Sequence, residues 1–575
     1  EIKKMTAISV KGHLYVLSLV ERKTVSESTD QSDKKTYTLY LTDVREKKAL
    51  SGNITRTVAS NEVIIERPED ISAISFSSRG ALAALGFKNG EIAFFDLASR
   101  AAVRFGNRKG AAVSSLTFLL GGDTFVVGDV AGEIESWGIE SKDGVIRPQL
   151  RYSYDNGKSA ISAVGASARS REFITSTERG EISLHSATTG KTRASAKLED
   201  DGIKLLQRSA RGDSLYVVDS NESFKVTSID SPFPELSLKG LFGKIWYEGY
   251  QGPEFVWQSS SGSDEFEAKL SLVPLVFGTL KGTFYSLLFA APLGLLAALF
   301  TSEFAHPKVK AFVKPFVELM AAIPSVVIGF IAGMWLSPFV GDNVIAVLLY
   351  PLSLVLSVLL FAPMFNLASR RLKVGSWLHI LTMMAMVVFI IKSTLYIGSE
   401  IELYFFAGNF PGFLYEFSRV SYDQRNAMVV SLAMGFAIIP IIFTICEDAI
   451  AAVPRAMRAG AFALGATRWQ TAIWVVIPAA SPGIFSAVLL GFGRAVGETM
   501  IVLMATGNTP LMNLSPFAGF RALSANIAVE LPEAANGTGL YHVLFLSAFL
   551  LFCFTFLVNS LSEIVRFRLR RRYSW

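Results

Sequence analysis

The sequence predicts a chain in two parts, an all-β propeller followed by an all-α domain that crosses a membrane several times. Three observations predict it. A short motif recurs at a period of about 40 to 45 residues up to residue 240, as propeller blades do. Seven apolar runs of spanning length follow residue 275. The whole chain is 51% hydrophobic and only 18% charged, with a mean hydropathy of +0.39, which is not the composition of a soluble protein.

The repeat begins with GEIAFFDLAS at Gly90, GEIESWGIES at Gly132 and GEISLHSATT at Gly180, 42 and 48 residues apart. A degenerate copy, NESFKVTSID, starts at Asn221. Each copy follows an alternating apolar run, at Ile71, Val113, Ile161 and Ile203. Short strands separated by turn residues at this spacing read as a WD40-like β-propeller over residues 1–240, and KTYTLYLTDV from Lys35 supplies material for one more blade. A β-sandwich with accidental repeats is the alternative. Residues 241–275 join the halves, and Trp246, Tyr247, Tyr250 and Trp257 suit an interfacial linker at a membrane surface.

The domain over 276–575 has its apolar runs at about 282–303, 316–336, 343–364, 376–397, 425–447, 482–505 and 540–563. Basic residues cluster after the odd-numbered runs: Lys308, Lys310 and Lys314; Arg370, Arg371 and Lys373; Arg455, Arg458 and Arg468; then the arginines from Arg566 onward. By the positive-inside rule those ends are cytoplasmic, which places the propeller outside and the C-terminus inside. Exporting the propeller calls for a membrane helix ahead of it, which is expected upstream of Glu1.

Several function classes are disfavoured. The net charge of +6 is spread through short loops rather than a nucleic-acid-like block. Cys446 and Cys553 both sit in apolar runs, and the five histidines show no ligand spacing. No phosphate-binding G-x-x-x-x-G-K-[ST] occurs, so ATP and magnesium are expected on another subunit rather than as cofactors of this chain.

Residues 447–478 hold a loop in which Ala459-Gly460-Ala461, Gly465, Val475, Ile477 and Pro478 fit the spacing E-A-A-x3-G-x9-I-x-L-P. This resembles the coupling loop of bacterial ABC importers, with Ala459 where that pattern has glutamate. Residues 275–340 and 425–575 are similar to phosphate-importer permeases of the PstC and PstA type, through ALGATRWQ around Ala466 and Thr467, and GRAVGETM from Gly493. The outside domain favours the PstC type with an enlarged periplasmic insertion. The propeller and two extra spans depart from a minimal permease. The resemblance implies the type I ABC importer fold and a bacterial inner-membrane location. It also implies a second homologous permease (PstA-like), a dimer of ATPases (PstB-like) and a periplasmic phosphate-binding protein (PstS-like). The loop around Gly465 would then dock on the ATPase.

Within the sixth run, Arg494 and Glu498 are conspicuous. Arg494 lies 12 residues beyond Pro482, about 18 Å along a helix and so near the midplane of a core about 30 Å thick. Four residues apart on one helix, the two can pair, which allows a purely structural role. The functional reading is an anion gate, with the arginine fork suited to phosphate oxygens, Glu498 holding it when empty and Thr499 adding a hydroxyl. The resemblance points to the same Arg494 and Glu498. Gly491, Gly493 and Gly497 are expected to permit close helix packing. Glu303 and Glu318 are expected to be solvated or paired to loops, and Glu447 with Asp448 to stabilise the coupling loop. Import of another oxyanion (sulfate, molybdate or phosphonate) is the nearest alternative, then a propeller-bearing membrane sensor; a propeller hydrolase is disfavoured by the lack of a nucleophile–base set.

Overall fold

The computed structural model describes residues 2–10, 13–23, 35–48, 54–66, 71–77, 82–96, 102–106, 110–142, 145–155, 159–198, 202–262, 266–372 and 376–572. It comprises two compact units, Glu1–Ser271 and Leu272–Trp575. Lys373, within the expected basic loop, lies outside the described residues, as do the side chains of His379, Arg370 and Arg371.

The first unit is a series of antiparallel sheets in chain order. Four have four strands: Ile2–Val10, His13–Lys23, Lys35–Lys48 and Ile54–Glu66 (β1–β4); Ile71–Phe76, Leu82–Phe87, Glu91–Asp96 and Ala102–Gly106 (β5–β8); Val113–Phe118, Thr124–Asp129, Glu133–Lys142 and Val145–Asp155 (β9–β12); Ile161–Ala166, Glu172–Thr177, Glu181–Ser186 and Lys191–Lys197 (β13–β16). The last has three, Ile203–Arg208, Ser214–Asp219 and Phe224–Ser228 (β17–β19). First strands neighbour one another in succession, β1 to β5, β9, β13 and β17, as strands lining a propeller axis do. The alternating apolar runs of the sequence are four of these first strands.

Period-2 alternation explains the packing. Along β6, Ala83, Leu85 and Phe87 face a cluster shared with Leu19 of the first sheet, while Ala84 faces the cluster of Phe94, Leu116 and Phe125 shared with the third. In β14, Phe173 and Ile174 likewise serve successive clusters. Both faces of these inner strands are therefore buried between successive sheets, and the sandwich alternative falls away. The end sheets differ. In the last sheet the register aligns Leu205, Val218 and Phe224 in one row and Tyr216 with Val226 in the next. Leu205, Tyr216, Phe224 and Val226 on that face are exposed.

Each GEI glycine closes the hairpin between the second and third strand of its sheet, with φ of 83°, 86° and 75° at Gly90, Gly132 and Gly180. A Cβ on Gly90 would also stand 2.7 Å from the Gly110 backbone.

The expected interfacial linker is instead part of the first unit. Leu238–Phe242 (α1) and the short pair Trp257–Gln258 and Lys269–Leu270 (β20, β21) pack on the propeller. Tyr247 and Trp257 are buried, so they serve packing rather than a lipid surface. The Glu248 carboxylate accepts from the Asp123 amide at 2.9 Å and pairs with Arg171, which also faces Glu267 at 3.5 Å. Burial pushes the Glu267 carboxyl above its usual range.

The second unit is helical: Val273–Leu299 (α2), Pro307–Ala321 (α3), Ser325–Ile331 (α4), Ser337–Asp342 (α5), Val344–Leu372 (α6), Ser376–Phe406 (α7), Phe410–Ser418 (α8), Ala427–Ala451 (α9), Arg455–Ala463 (α10), Arg468–Thr471 (α11), Ile477–Gly497 (α12), Met500–Ala505 (α13), Leu523–Glu530 (α14) and Gly539–Arg572 (α15). Turns of π-helix follow α2, α4 and α11, at Phe300–Phe304, Ala332–Leu336 and Ala472–Val476. Among the described residues, five helical segments are long and apolar enough to cross a membrane: Val273–Phe304, Ser325–Asp342, Ala427–Ala451, Arg468–Gly497 and Gly539–Arg568. The two further expected spans coincide with α6 and α7, helices of 29 and 31 residues whose side chains are described only in part.

The core of this unit lies along α9, which packs on α2 and α12, with α15 on the far side of α12. Small residues permit that approach: a Cβ on Gly294 would sit 2.9 Å from the Ile442 side chain, and one on Gly491 would sit 3.0 Å from it.

Candidate functional site

Arg494 stands one turn before the end of α12 and is exposed in the isolated chain. Its guanidinium has no hydrogen bond or ion pair with any described residue. The expected helical pairing with Glu498 does not form. Gly497 is the last residue of α12, and Glu498 leaves the helix with φ −67° and ψ 124°, which takes the two side chains out of i,i+4 register. The expected unbroken span over 482–505 is therefore two pieces, α12 and α13, meeting at Glu498 and Thr499.

The break is held by its own bonds. Ser524 of α14 donates to the Glu498 carbonyl at 2.9 Å, and the Glu498 carboxylate accepts from the Ile501 amide at 3.4 Å, capping α13. The Thr499 hydroxyl donates to the Gly497 carbonyl at 3.3 Å. Glu498 and Thr499 are half-buried. Behind them α13 presses on α4 and its π-helical turn, where a Cβ on Gly329 would meet the Met500 carbonyl at 2.9 Å and one on Gly333 the Met504 carbonyl at 2.5 Å. Gly493 gives close approach to Asn559 of α15, but Gly497 has open space around it and serves only the helix end.

Residues 447–478 form the shape that the spacing predicts. α10 is followed by Gly465 in the left-handed region, φ 86°, and then by α11, whose N-cap Thr467 exchanges bonds with Gln470 in a capping box. Pro478 opens α12. Ala459, Gly460, Gly465, Thr467 and Pro478 are exposed, and Ala461 and Ala466 are half-exposed. At the tip Leu464 is 91% exposed and Trp469 58%, an apolar patch of the kind that marks an interaction surface.

Among the described residues, the carboxylates of Glu447 and Asp448, in the last turns of α9, pair outside the loop rather than within it as expected. They bind α3: Lys310 and Lys314 both pair with Glu447, and Lys314 reaches Asp448 at 3.4 Å. Glu303 is paired to the loop, as expected, through Arg458 at 2.8 Å.

Sequence reading misses Lys281, buried in α2 with its ammonium donating to the Ala518 carbonyl at 3.0 Å. A lone lysine inside VFGTLKGTFYSLL is the available signal, lost because an apolar run taken from residue 282 leaves it just outside. Among the described residues no group of acidic, histidine and cysteine side chains has a metal-binding arrangement.

Known proteins share this membrane half. The chain is 28% identical to the probable ABC transporter permease protein YqgH of Bacillus subtilis over 53% of its own length and 74% of that protein. It is 27% identical to the phosphate transport system permease protein PstC of Pasteurella multocida, over 56% of this chain and 82% of that one. Against the phosphate transport system permease protein PstA 1 of Mycobacterium tuberculosis the identity is 34%, over 26% of this chain and 49% of the other. Residues 290–574, the stretch holding α9, the exposed knob and the break at Glu498, match the inner membrane components of binding-protein-dependent transport systems, and it is to this permease family that the membrane half of the chain belongs.

Proposed function

We propose that the chain is the permease subunit of an ATP-driven inorganic phosphate importer, contributing half of the translocation path. The observation that carries this reading is Arg494. A guanidinium facing hydrocarbon costs at least about 2.5–3.5 kcal/mol, so an unpaired one on the outside of a spanning helix belongs against another chain or a water-filled path. A second permease of the same kind supplies that other wall. The planar fork suits the oxygens of phosphate, the substrate named for the PstC and PstA relatives.

Glu498 and Thr499 border the same path at a helix break, where backbone groups freed from the helix line a cavity rather than lipid. The exposed knob at Phe462, Leu464 and Trp469 docks on a separate ATPase, which carries ATP and magnesium. A binding protein delivers phosphate from outside, where the propeller faces it.

The test is labelled-phosphate uptake by cells whose single copy of the gene encodes Arg494→Ala, with assembly checked by co-purification of the ATPase. Loss of one or two charge-assisted hydrogen bonds predicts uptake lower by roughly 10- to 100-fold, with Arg494→Lys intermediate. Equal uptake in the assembled variant would place Arg494 outside the path. Parent uptake blocked by sulfate or molybdate rather than phosphate would reassign the substrate.

A further inference from the structure

We propose that Arg458 and Glu303 are the positioning pair through which the coupling loop moves the membrane helix α2. This rests on the transport reading above and adds the route of the motion.

The geometry joins three elements at one guanidinium. Nε and Nη2 of Arg458 donate to Glu303 Oε1 at 3.2 and 2.8 Å. Nη2 also donates to the Ile450 carbonyl at 2.8 Å, and Nη1 to that of Val453. Ile450 lies in the last turn of α9, its carbonyl also accepting from the Val453 amide at 3.2 Å, and Val453 lies two residues past the end of that helix. Glu303 belongs to the π-helical turn that ends α2. One side chain of α10 therefore holds the cytoplasmic ends of both α9 and α2.

The contact matters because α10 is otherwise lightly held, with Met457 packing in part against the helical core. None of its residues is buried. The pair itself is mostly shielded, with 17% and 14% of the two side chains exposed, so it is less screened than a surface ion pair and costly to break on one side only. The residue after Glu303 adds a second hold: the rings of Phe304 and Trp469 of α11 lie 6.1 Å apart. Adjacent residues at the end of α2 thus receive both short helices of the loop. Where the importer pattern has a glutamate the loop has Ala459, which is exposed. The acidic partner of the loop is supplied by α2 instead.

α2 packs along α9 and also touches α12, which bears Arg494. A push on the knob is delivered to α2 at Glu303 and reaches the path from there. Without the pair the ATPase still docks and hydrolyses, but the stroke is spent on a loop that slips.

The test uses the complete transporter, with its second permease, ATPase and binding protein, in proteoliposomes loaded with ATP on the ATPase side. ATP hydrolysed per labelled phosphate imported is the readout, because a merely structural weakening lowers both rates together and leaves their ratio alone. Glu303→Gln and Arg458→Gln are expected to raise the ratio about tenfold, the size of one lost charge-assisted hydrogen bond. The exchange Glu303→Arg with Arg458→Glu is expected to bring it back toward the parent value. Should the glutamine variants not assemble, Glu303→Asp and Arg458→Lys keep the charges but spoil the reach and the fork, and are expected to raise the ratio less. An unchanged ratio in any assembled set overturns the positioning role while leaving the transport reading intact. A parent complex that hydrolyses ATP without importing phosphate overturns the transport reading, and this inference with it.

Discussion

At His185 the propeller encloses an imidazole with no charged partner among the described residues. The ring stacks on Phe173, meets Tyr154 edge-on, and shares hydrogen bonds with Thr175 at 2.8 Å and Thr192 at 3.0 Å. Burial lowers its pKa from 6.5 to about 4. The unfolded chain therefore takes up the proton first as pH falls. Stability is complete above pH 6.5 and is lost progressively from there down to about 4, by at most about 3 kcal/mol. Thermal unfolding of the purified protein between about pH 7 and 4.5 checks this, and His185→Asn is expected to flatten the acid limb. A profile identical in parent and variant would show that the ring does not titrate in this window. Single residues also explain where the repeat is hard to read. Glu222, with φ 65°, occupies the hairpin position that Gly90, Gly132 and Gly180 fill in the preceding sheets. A glutamate there hides the motif from the sequence although the backbone keeps the turn.

Among the elements, most membrane helices were legible because apolar length defines them, although the run expected over 316–336 divides between α3 and the span Ser325–Asp342; the exposed knob was legible because glycine, capping threonine and proline fall at fixed offsets. The break between α12 and α13 was not. The sequence stays apolar across it, and the pairing of Arg494 with Glu498 assumed a helix that Gly497 ends. What shapes the break is tertiary: Ser524 from α14 and the glycines of α4 and its π-helical turn, all distant in sequence. Gly333→Ala tests that support, since its Cβ would meet the backbone of Met504 at 2.5 Å. The expected result is a destabilisation of about 1–3 kcal/mol, read as a lower melting temperature in detergent, together with reduced uptake as Thr499 shifts. Gly497→Ala, with nothing within 4 Å of its Cβ, is expected to leave the melting temperature near that of the parent. Equal melting temperatures for the two variants would count against the packing account.

For the molecule as a whole, the division into a repetitive β part and a helical part followed from composition, while the boundary did not. Aromatic residues at 246–257 resemble a membrane-interface belt by type, and only packing shows that Tyr247 and Trp257 are buried in the first unit. The orientation inferred from basic loops makes a direct prediction. In a background lacking Cys446 and Cys553, a cysteine replacing exposed Lys191 is expected to react with a membrane-impermeant maleimide in spheroplasts. One replacing exposed Lys308 should react only after the membrane is broken. The reverse pattern would invert the topology.

If Arg494, unpaired among the described residues, faces a second permease as proposed, its guanidinium would bear on more than transport: it would govern how long a lone copy of this subunit lasts. A copy that meets no second permease leaves that charge to the lipid, at a penalty of about 2.5–3.5 kcal/mol or more. It would tilt, thin the bilayer or draw water inward, and a copy so distorted would be the less stable one. Pairing removes the penalty. The side chain assigned to hold the cargo would thereby also keep the subunits in equal number, with no separate signal needed to match their supply.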